Sequence, residues 1–380
     1  MNIQMVDLKG QYQHIKEEVD SAIQQVIDAT AFINGPQVKQ FSDNLERYLG
    51  AKHVIPCANG TDALQIALMA MGLQPGDEVV VPCFTYVATA EVIALLHLKP
   101  VMTEVDPHTF NLTAELFEKA ITPRTKAVVP VHLFGQCADM EPILEVARKH
   151  NIFVIEDTAQ AIGADYTFSD GTVKKAGTMG DIGCTSFFPS KNLGCYGDGG
   201  ALFTNDTDLF QKIKMIANHG QAVKYHHEVV GVNSRLDTIQ AVVLDIKLKH
   251  LDSYAQTRNK AAAYYDEVFG QLDWIRVPAR QTNSTHVFHQ YTLKLDVPED
   301  RDELKAHLER QRVPAMVYYP IALHLQHAFK TEAFGPGDFP ISEMLCSQVI
   351  SLPIHTEMTE TQLNFIIDAV LSFKKQKTVA

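Results

Sequence analysis

Short apolar runs and amphipathic stretches alternate along the first 250 residues. Ala58-Asn59-Gly60-Thr61-Asp62 precedes apolar positions at Leu64, Ile66, Ala67 and Met71, which predicts a helix capped by Asn59 or Thr61. Residues 78–82 form a short apolar strand. A helix is predicted over 87–96, a strand over 100–105 and a new helix from Asn111-Leu112-Thr113-Ala114-Glu115. The pattern continues with a strand over 126–133, a helix over 140–150 and a buried strand over 152–157 that ends in acid. This β-α-β-α order predicts an α/β fold with a mainly parallel, doubly wound sheet.

The texture changes from Asp181. Apolar strands at 184–188 and 201–204 flank a glycine-rich run, and a long helix is predicted over 236–257. Beyond it a strand at 291–295 mixes with helices at 301–311 and 360–373, in α+β fashion. The expected organisation is a large domain over 1–250 and a smaller C-terminal α+β domain over 251–380. No Gly/Ser linker, repeat or low-complexity tract interrupts the chain.

Composition narrows the function. Of 380 residues 46% are hydrophobic and 21% charged, enough apolar material for a core and against disorder. The net charge of −12 argues against a nucleic-acid partner, though not against a small anionic ligand held by local cations. The start, with Asp7 and Lys9, does not read as a signal peptide, and no apolar stretch approaches the roughly 18 residues of a membrane span. The expectation is a cytoplasmic protein with no membrane partner. Its six cysteines form no C-x-x-C pair, so they read as free thiols and no metal site is predicted.

Neither a G-x-G-x-x-G nor a P-loop is present. Four places at strand ends or helix starts remain, where ligands bind in open α/β sheets. At Asn59-Gly60-Thr61-Asp62 the free N–H groups of a helix start, with a hydroxyl, suit a phosphate. Phe84, just past a strand, could stack on a flat ring. Asp157 ends a buried strand, where an acid is costly unless paired, for instance with a protonated pyridine nitrogen. Lys191 follows a strand within Ser186-Phe-Phe-Pro-Ser-Lys191-Asn-Leu-Gly194, where desolvation would free its amine for covalent chemistry. Each also has a plain structural reading, as a helix cap, a core aromatic or a solvated lysine. Together they match the parts that pyridoxal phosphate needs.

With these residues in order, the sequence resembles the sugar aminotransferases of the DegT/StrS type, which have PLP fold type I, the aspartate aminotransferase-like fold. The resemblance spans essentially the whole chain, through Ala58-Asn-Gly-Thr-Asp-Ala-Leu64, Phe84-Thr-Tyr-Val-Ala-Thr89, Glu156-Asp157 with Gln160, and Gly231-Val-Asn-Ser-Arg-Leu-Asp-Thr-Ile-Gln-Ala241. The run Pro189-Ser-Lys-Asn-Leu-Gly-Cys-Tyr-Gly-Asp-Gly-Gly200 is similar to the branch acting on 3-keto sugars.

The resemblance implies transfer of an amino group from glutamate to a nucleotide-linked 3-keto sugar acid, for surface polysaccharide synthesis. It implies that Lys191 binds the cofactor covalently and then shuttles a proton, and that Asp157 pairs with the pyridine nitrogen. Gln160 would contact the ring's O3′ side and Phe84 the ring face, with Gly60, Thr61 and Ser186 on the phosphate. Active sites would be shared in a homodimer, with Asn233 reaching the neighbouring cofactor and Arg235 gripping the sugar's carboxylate. One departure stands out. Tyr318 precedes Tyr319-Pro320 where similar enzymes carry His, so Tyr318, Tyr319 and nearby His324 become the candidates for sugar contact.

Overall fold

The computed structural model describes residues 3–330 and 334–379. Two helices open the chain, α1 (Leu8–Ala29) and α2 (Pro36–Leu49). Asp7 caps α1 by accepting from the Gly10 amide at 2.8 Å, and Ile15, Val19 and Val26 supply its buried stripe. The alternating section follows as β1 (His53–Cys57), α3 (Gly60–Ala70), β2 (Glu78–Pro82), α4 (Ala88–Leu95), β3 (Lys99–Thr103), α5 (Ala114–Ala120), β4 (Thr125–Val128), α6 (Met140–His150) and β5 (Phe153–Asp157). A small hairpin, β6 (Asp165–Thr167) with β7 (Val173–Lys175), precedes β8 (Ile182–Ser186) and β9 (Gly200–Thr204).

Seven strands form one sheet in the order β1-β9-β8-β5-β4-β2-β3. The pairs from β8 across to β3 are parallel, and β9 runs antiparallel to both its neighbours. The C-terminal ends of β1, β2, β4, β5 and β8 therefore share one edge. The inner strands are apolar on both faces because helices cover both, as Val79, Val80 and Val81 show at 0% exposure.

After β9 come α7 (Thr207–Ala217), a short hairpin of β10 (Gln221–Val223) and β11 (His226–His227), then α8 (Thr238–Leu248) and α9 (Leu251–Phe269). The single helix expected over 236–257 is thus two, broken at Lys249–His250 without Gly or Pro. The cause is tertiary. Helix α8 buries almost every residue against α1 and α2, whereas α9 is amphipathic and its later half joins a different core. Strand β4 also stops short of the expected residue 133. Val131 makes an isolated bridge to Asp157 and residues 133–135 form a 3-10 turn.

The remaining strands and α-helices among the described residues are β12 (Ile275–Arg276), β13 (Tyr291–Leu295), α10 (Pro298–Arg310), α11 (Pro340–Gln348), β14 (Val349–Leu352) and α12 (Glu360–Val379), with 3-10 turns at Leu323–Leu325 and His327–Phe329. Strands β12, β13 and β14 make an antiparallel sheet. Its apolar cluster runs from Ala261 to Phe373 and takes in Ile3 from the N-terminus. All six cysteines are buried and free. Among the described residues no helix is long and apolar enough to cross a membrane.

Candidate active site

The shared edge of the sheet opens into a cleft of about 530 Å³. Of the residues expected to carry chemistry, Gly60, Thr61, Asp157, Gln160, Ser186, Lys191, Tyr318 and Tyr319 line it.

Lys191 is held by a tight turn after β8. Its amide donates to Phe188 O at 2.8 Å, and the Cys195 amide returns to Phe187 O at 2.8 Å. Gly194 closes the turn, since a Cβ there would lie 2.3 Å from Pro189 O. Its carbonyl accepts from Nζ of Lys247, a buried lysine of α8, at 2.8 Å. Burial lowers the Lys191 amine to about 8, with Asp157 pulling the other way.

Asp157 ends β5 at 7% exposure. Its Oδ1 accepts from the Ala159 amide at 3.0 Å and its Oδ2 from Thr89 Oγ1 at 3.1 Å. Burial raises its pKa above the usual carboxylate value, opposed by the Ala159 amide, Lys191 and Thr89. Both charged groups are thus under-compensated, and a cation facing the carboxylate would relieve it.

Neighbouring Glu156 is fully buried and anchors the strand end. Oε1 accepts from the Met179 and Gly180 amides at 2.7 and 2.6 Å, and Oε2 from the Gly177 amide and His132 Nε2, both at 2.9 Å. His132 Nδ1 accepts from the Ala138 amide, so the ring proton sits on Nε2 and points at Glu156. Glu156→Gln forces an NH2 against two donors whichever way the amide turns. The expected cost is about 2–4 kcal/mol, read by denaturant unfolding. Unchanged stability would show that these donors find other partners.

The first turn of α3 faces the cleft with amides that have no partner within the helix. Asn59 is the cap, accepting from the Asp62 amide at 2.8 Å. Gly60 is packed so closely on Ser186 that a Cβ would sit 2.6 Å from that residue's own. Amides and hydroxyls therefore converge at Gly60, Thr61 and Ser186, a donor set that suits a phosphate.

Phe84 is not on the wall. It is 1% exposed, in an aromatic cluster with Phe110, Phe134 and Tyr319 at 6.0–6.5 Å between centroids. Tyr86, 56% exposed, lines the cleft instead, so the aromatic that this run presents to it is two residues further on. Beyond Pro82 the chain leaves the sheet, and strand alternation no longer tells which aromatic points inward.

His324 is also absent from the wall. It is buried, with Nδ1 3.0 Å from Cys83 Sγ and Nε2 3.1 Å from Glu343 Oε1, and it ties the segment after Tyr319 to the end of β2. Gln160 spends its amide on both sides, accepting from the Phe134 amide at 2.8 Å and donating to Tyr319 Oη at 3.0 Å.

Arg235 and exposed Asn233 do not reach this cleft. Arg235 lines a separate cavity with Asn34, Lys212, Lys214 and Gln221. Ser234 between them accepts from the Ala58 amide and donates to Asp62 Oδ2 at 2.6 Å, which fixes that loop to the start of α3. The lining residues not singled out from sequence include Thr85, Tyr86, Asp198, His289 and Gln290. No motif announces His289 or Gln290, although Tyr86 stood in the same Phe84-Thr-Tyr run.

The profile of the DegT/DnrJ/EryC1/StrS aminotransferase family matches residues 13–371. The UDP-2-acetamido-2-deoxy-3-oxo-D-glucuronate aminotransferase of Pseudomonas aeruginosa is 47% identical over 97% of this chain and 99% of its own. A pleiotropic regulatory protein of Geobacillus stearothermophilus is 44% identical, over 98% of this chain and 99% of its own. An aminotransferase of Acidithiobacillus ferrooxidans named for UDP-N-acetyl-3-dehydro-α-D-glucosamine is 42% identical over 95% of each. Among solved structures, S. venezuelae DesV in complex with a ketimine intermediate superposes with a TM-score of 0.93, at 39% identity and 98% of each chain. NtdA of Bacillus subtilis, with bound cofactor PMP, gives 0.86 at 31% identity, over 95% of this chain and 82% of its own.

Proposed function

Because this chain belongs to the DegT/DnrJ/EryC1/StrS aminotransferase family, we propose that it aminates the C3 ketone of UDP-2-acetamido-2-deoxy-3-oxo-D-glucuronic acid, with L-glutamate as donor. The coarser activity, PLP-dependent transamination of a nucleotide-linked sugar, is that of the family. The observation that carries the reading is the meeting of Lys191 and Asp157 in one cleft beside the start of α3. The specific sugar rests on the 47% identity to the uronate enzyme, since other similar relatives are named for other sugars.

The residues present fit pyridoxal phosphate. Gly60, Thr61 and Ser186 would hold the phosphate, Asp157 the pyridine nitrogen, Gln160 the O3′ side and Lys191 the aldehyde carbon. Tyr86, in place of Phe84, would cover the ring. Once bound, the cofactor supplies an electron sink for the carbon that bears the amino group. Lys191 Nζ then takes the proton from that carbon in the donor half-reaction and returns one to the sugar's C3 in the other. Asp157 would keep the proton on the ring nitrogen, because a carboxylate favours the charged form of a cation beside it. Tyr318 and Tyr319 form the wall toward the sugar. A non-catalytic, regulatory reading has both Lys191 and Asp157 against it.

Asn233 and Arg235 act on the partner's cleft in a homodimer. Arg235 is the residue whose planar fork suits the uronate carboxylate. An enzyme that sediments as a monomer while active would remove them from the mechanism.

The test is a single-turnover screen. Enzyme in the amine form is mixed with 3-keto and 4-keto nucleotide sugars, with and without a C6 carboxylate. The return of the cofactor's aldehyde-form absorbance identifies the acceptor. The 3-keto uronic acid is expected to react fastest, and Arg235→Ala to narrow its lead over the neutral sugars. Reaction with a neutral deoxysugar alone would reject the uronic acid.

A further inference from the structure

Among the described residues, two buried side-chain atoms without a hydrogen-bonding partner belong to residues lining the cleft, Thr85 Oγ1 and His289 Nδ1. His289 is the more demanding case. It is only 6% exposed, and a buried polar atom left unpaired is costly unless a ligand completes it. Its other nitrogen, Nε2, lies 3.5 Å from Gln290 Nε2. With the amide as donor in that contact, the ring proton resides on Nδ1.

The backbone that delivers His289 is strained and held from several directions. Phe288 adopts φ +46°, in the left-handed region that aromatic residues rarely enter. Such conformations persist where the surroundings over-determine them, and they concentrate at functional sites. Here Asn192 Nδ2 donates to Val287 O at 2.9 Å, the Val287 amide to Gly135 O at 2.8 Å, and buried Arg258 Nη1 to Phe288 O at 3.1 Å. Gly135 leaves the room this needs, since a Cβ there would lie 2.9 Å from the His289 and Phe288 amides. Asn192 directly follows Lys191, so one bond couples the turn that carries the amine to the turn that carries the imidazole.

Electrostatics agrees with the geometry. Burial, and then the positive charges of Lys191 and Arg258, hold His289 well below the usual histidine range, so its ring is neutral. A neutral donor adds no charge to a cleft that takes two different ligands in turn. Those ligands share one feature, an oxygen on the carbon beside the reacting one: a carboxylate oxygen in the amino donor, a hydroxyl in the keto sugar.

We propose that His289 is a further substrate-contacting residue, whose Nδ1–H donates to the oxygen beside the reacting carbon in both half-reactions. The assignment rests on the reading that amino donor and keto sugar alternate in this one cleft.

The test compares His289→Phe and His289→Asn as holoenzymes, with each half-reaction followed separately in single turnovers. In His289→Phe both half-reactions are expected to lose about 10–100-fold in kcat/KM, the effect of one hydrogen bond to a substrate oxygen. His289→Asn keeps an N–H near the position of Nδ1 and recovers part of each. Two readouts are independent of turnover. Glutarate, a dicarboxylate analogue of the donor, is expected to bind about tenfold more weakly to His289→Phe. In the unaltered enzyme it is expected to shift the 15N resonance of His289 Nδ1.

A loss confined to one half-reaction overturns the shared contact. Equal losses in both variants with glutarate affinity unchanged assign His289 a purely structural role and overturn it too. If His289→Phe does not fold, the Asn variant and the 15N shift decide. Unaltered enzyme that accepts glutamate but no keto sugar would instead reject the proposed function, leaving the glutarate and donor arms readable.

Discussion

Lys191→Ala is expected to lower turnover by about 10⁴-fold or more, because the variant loses the covalent tether and the proton carrier together. The absorbance of the lysine-bound cofactor should vanish, while the phosphate contacts at Gly60, Thr61 and Ser186 retain weakened cofactor binding. Small amines should restore part of the rate by entering the space the side chain vacates. The acidity of the amine gives a second handle. With burial lowering Lys191 to about 8, the free amine grows through neutral pH. Covalent uptake of pyridoxal phosphate by cofactor-free enzyme should therefore quicken between about pH 7 and 9 and level off above. A variant with unaltered spectrum and rate would remove Lys191 from the chemistry.

Asp157→Asn should separate catalysis from stability in opposite directions. In catalysis the carboxylate that holds the ring-nitrogen proton is lost, and kcat is expected to fall by about 10²–10³-fold, the scale for removing one preorganised electrostatic partner. In the cofactor-free protein the sign reverses. Burial raises the Asp157 carboxyl above its unfolded value. Its contribution to stability is complete below the unfolded value and is lost as pH rises through the folded one. At neutral pH, above its unfolded value, burial of this carboxyl thus subtracts from stability, and asparagine removes that cost. Thermal unfolding at pH 7 should accordingly show cofactor-free Asp157→Asn at least as stable as the parent, while its affinity for the cofactor drops. Near-parental kcat would show that the ring nitrogen has another partner.

Much of this site could be read from the chain because its parts are local. Asn59-Gly60-Thr61-Asp62 carries its cap and the unpartnered amides of a helix start within four residues, Asp157 ends an apolar strand and Lys191 lies in the turn after another. The parallel sheet was legible for the same reason, since strands buried on both faces are continuous apolar runs. What escaped depended on contacts between distant segments. Phe84 turns inward because Phe110, Phe134 and Tyr319 wait there, and nothing within residues 82–86 records that. His324 is claimed by Cys83 and Glu343 before it can reach the cleft. The break between α8 and α9 lacks the residues that usually mark one. His289 owes its place to a left-handed phenylalanine, a conformation that no propensity would assign.

Strand β9 has a consequence for the order in which the enzyme comes into being. It lies between β1 and β8, pairing Cys57 and Ser186 alike with Gly200. During synthesis β1 emerges early and has no sheet to join until β9 follows much later. Contacts so distant along the chain close late and slow folding. The start of α3, where we propose the phosphate binds, therefore takes its place beside Ser186 only after the Lys191 loop has left the ribosome. The turn at 287–290 must emerge later still. A nascent chain halted before β9 would display apolar strands with an unfinished edge and no complete cofactor site, so binding of the cofactor falls at the end of assembly.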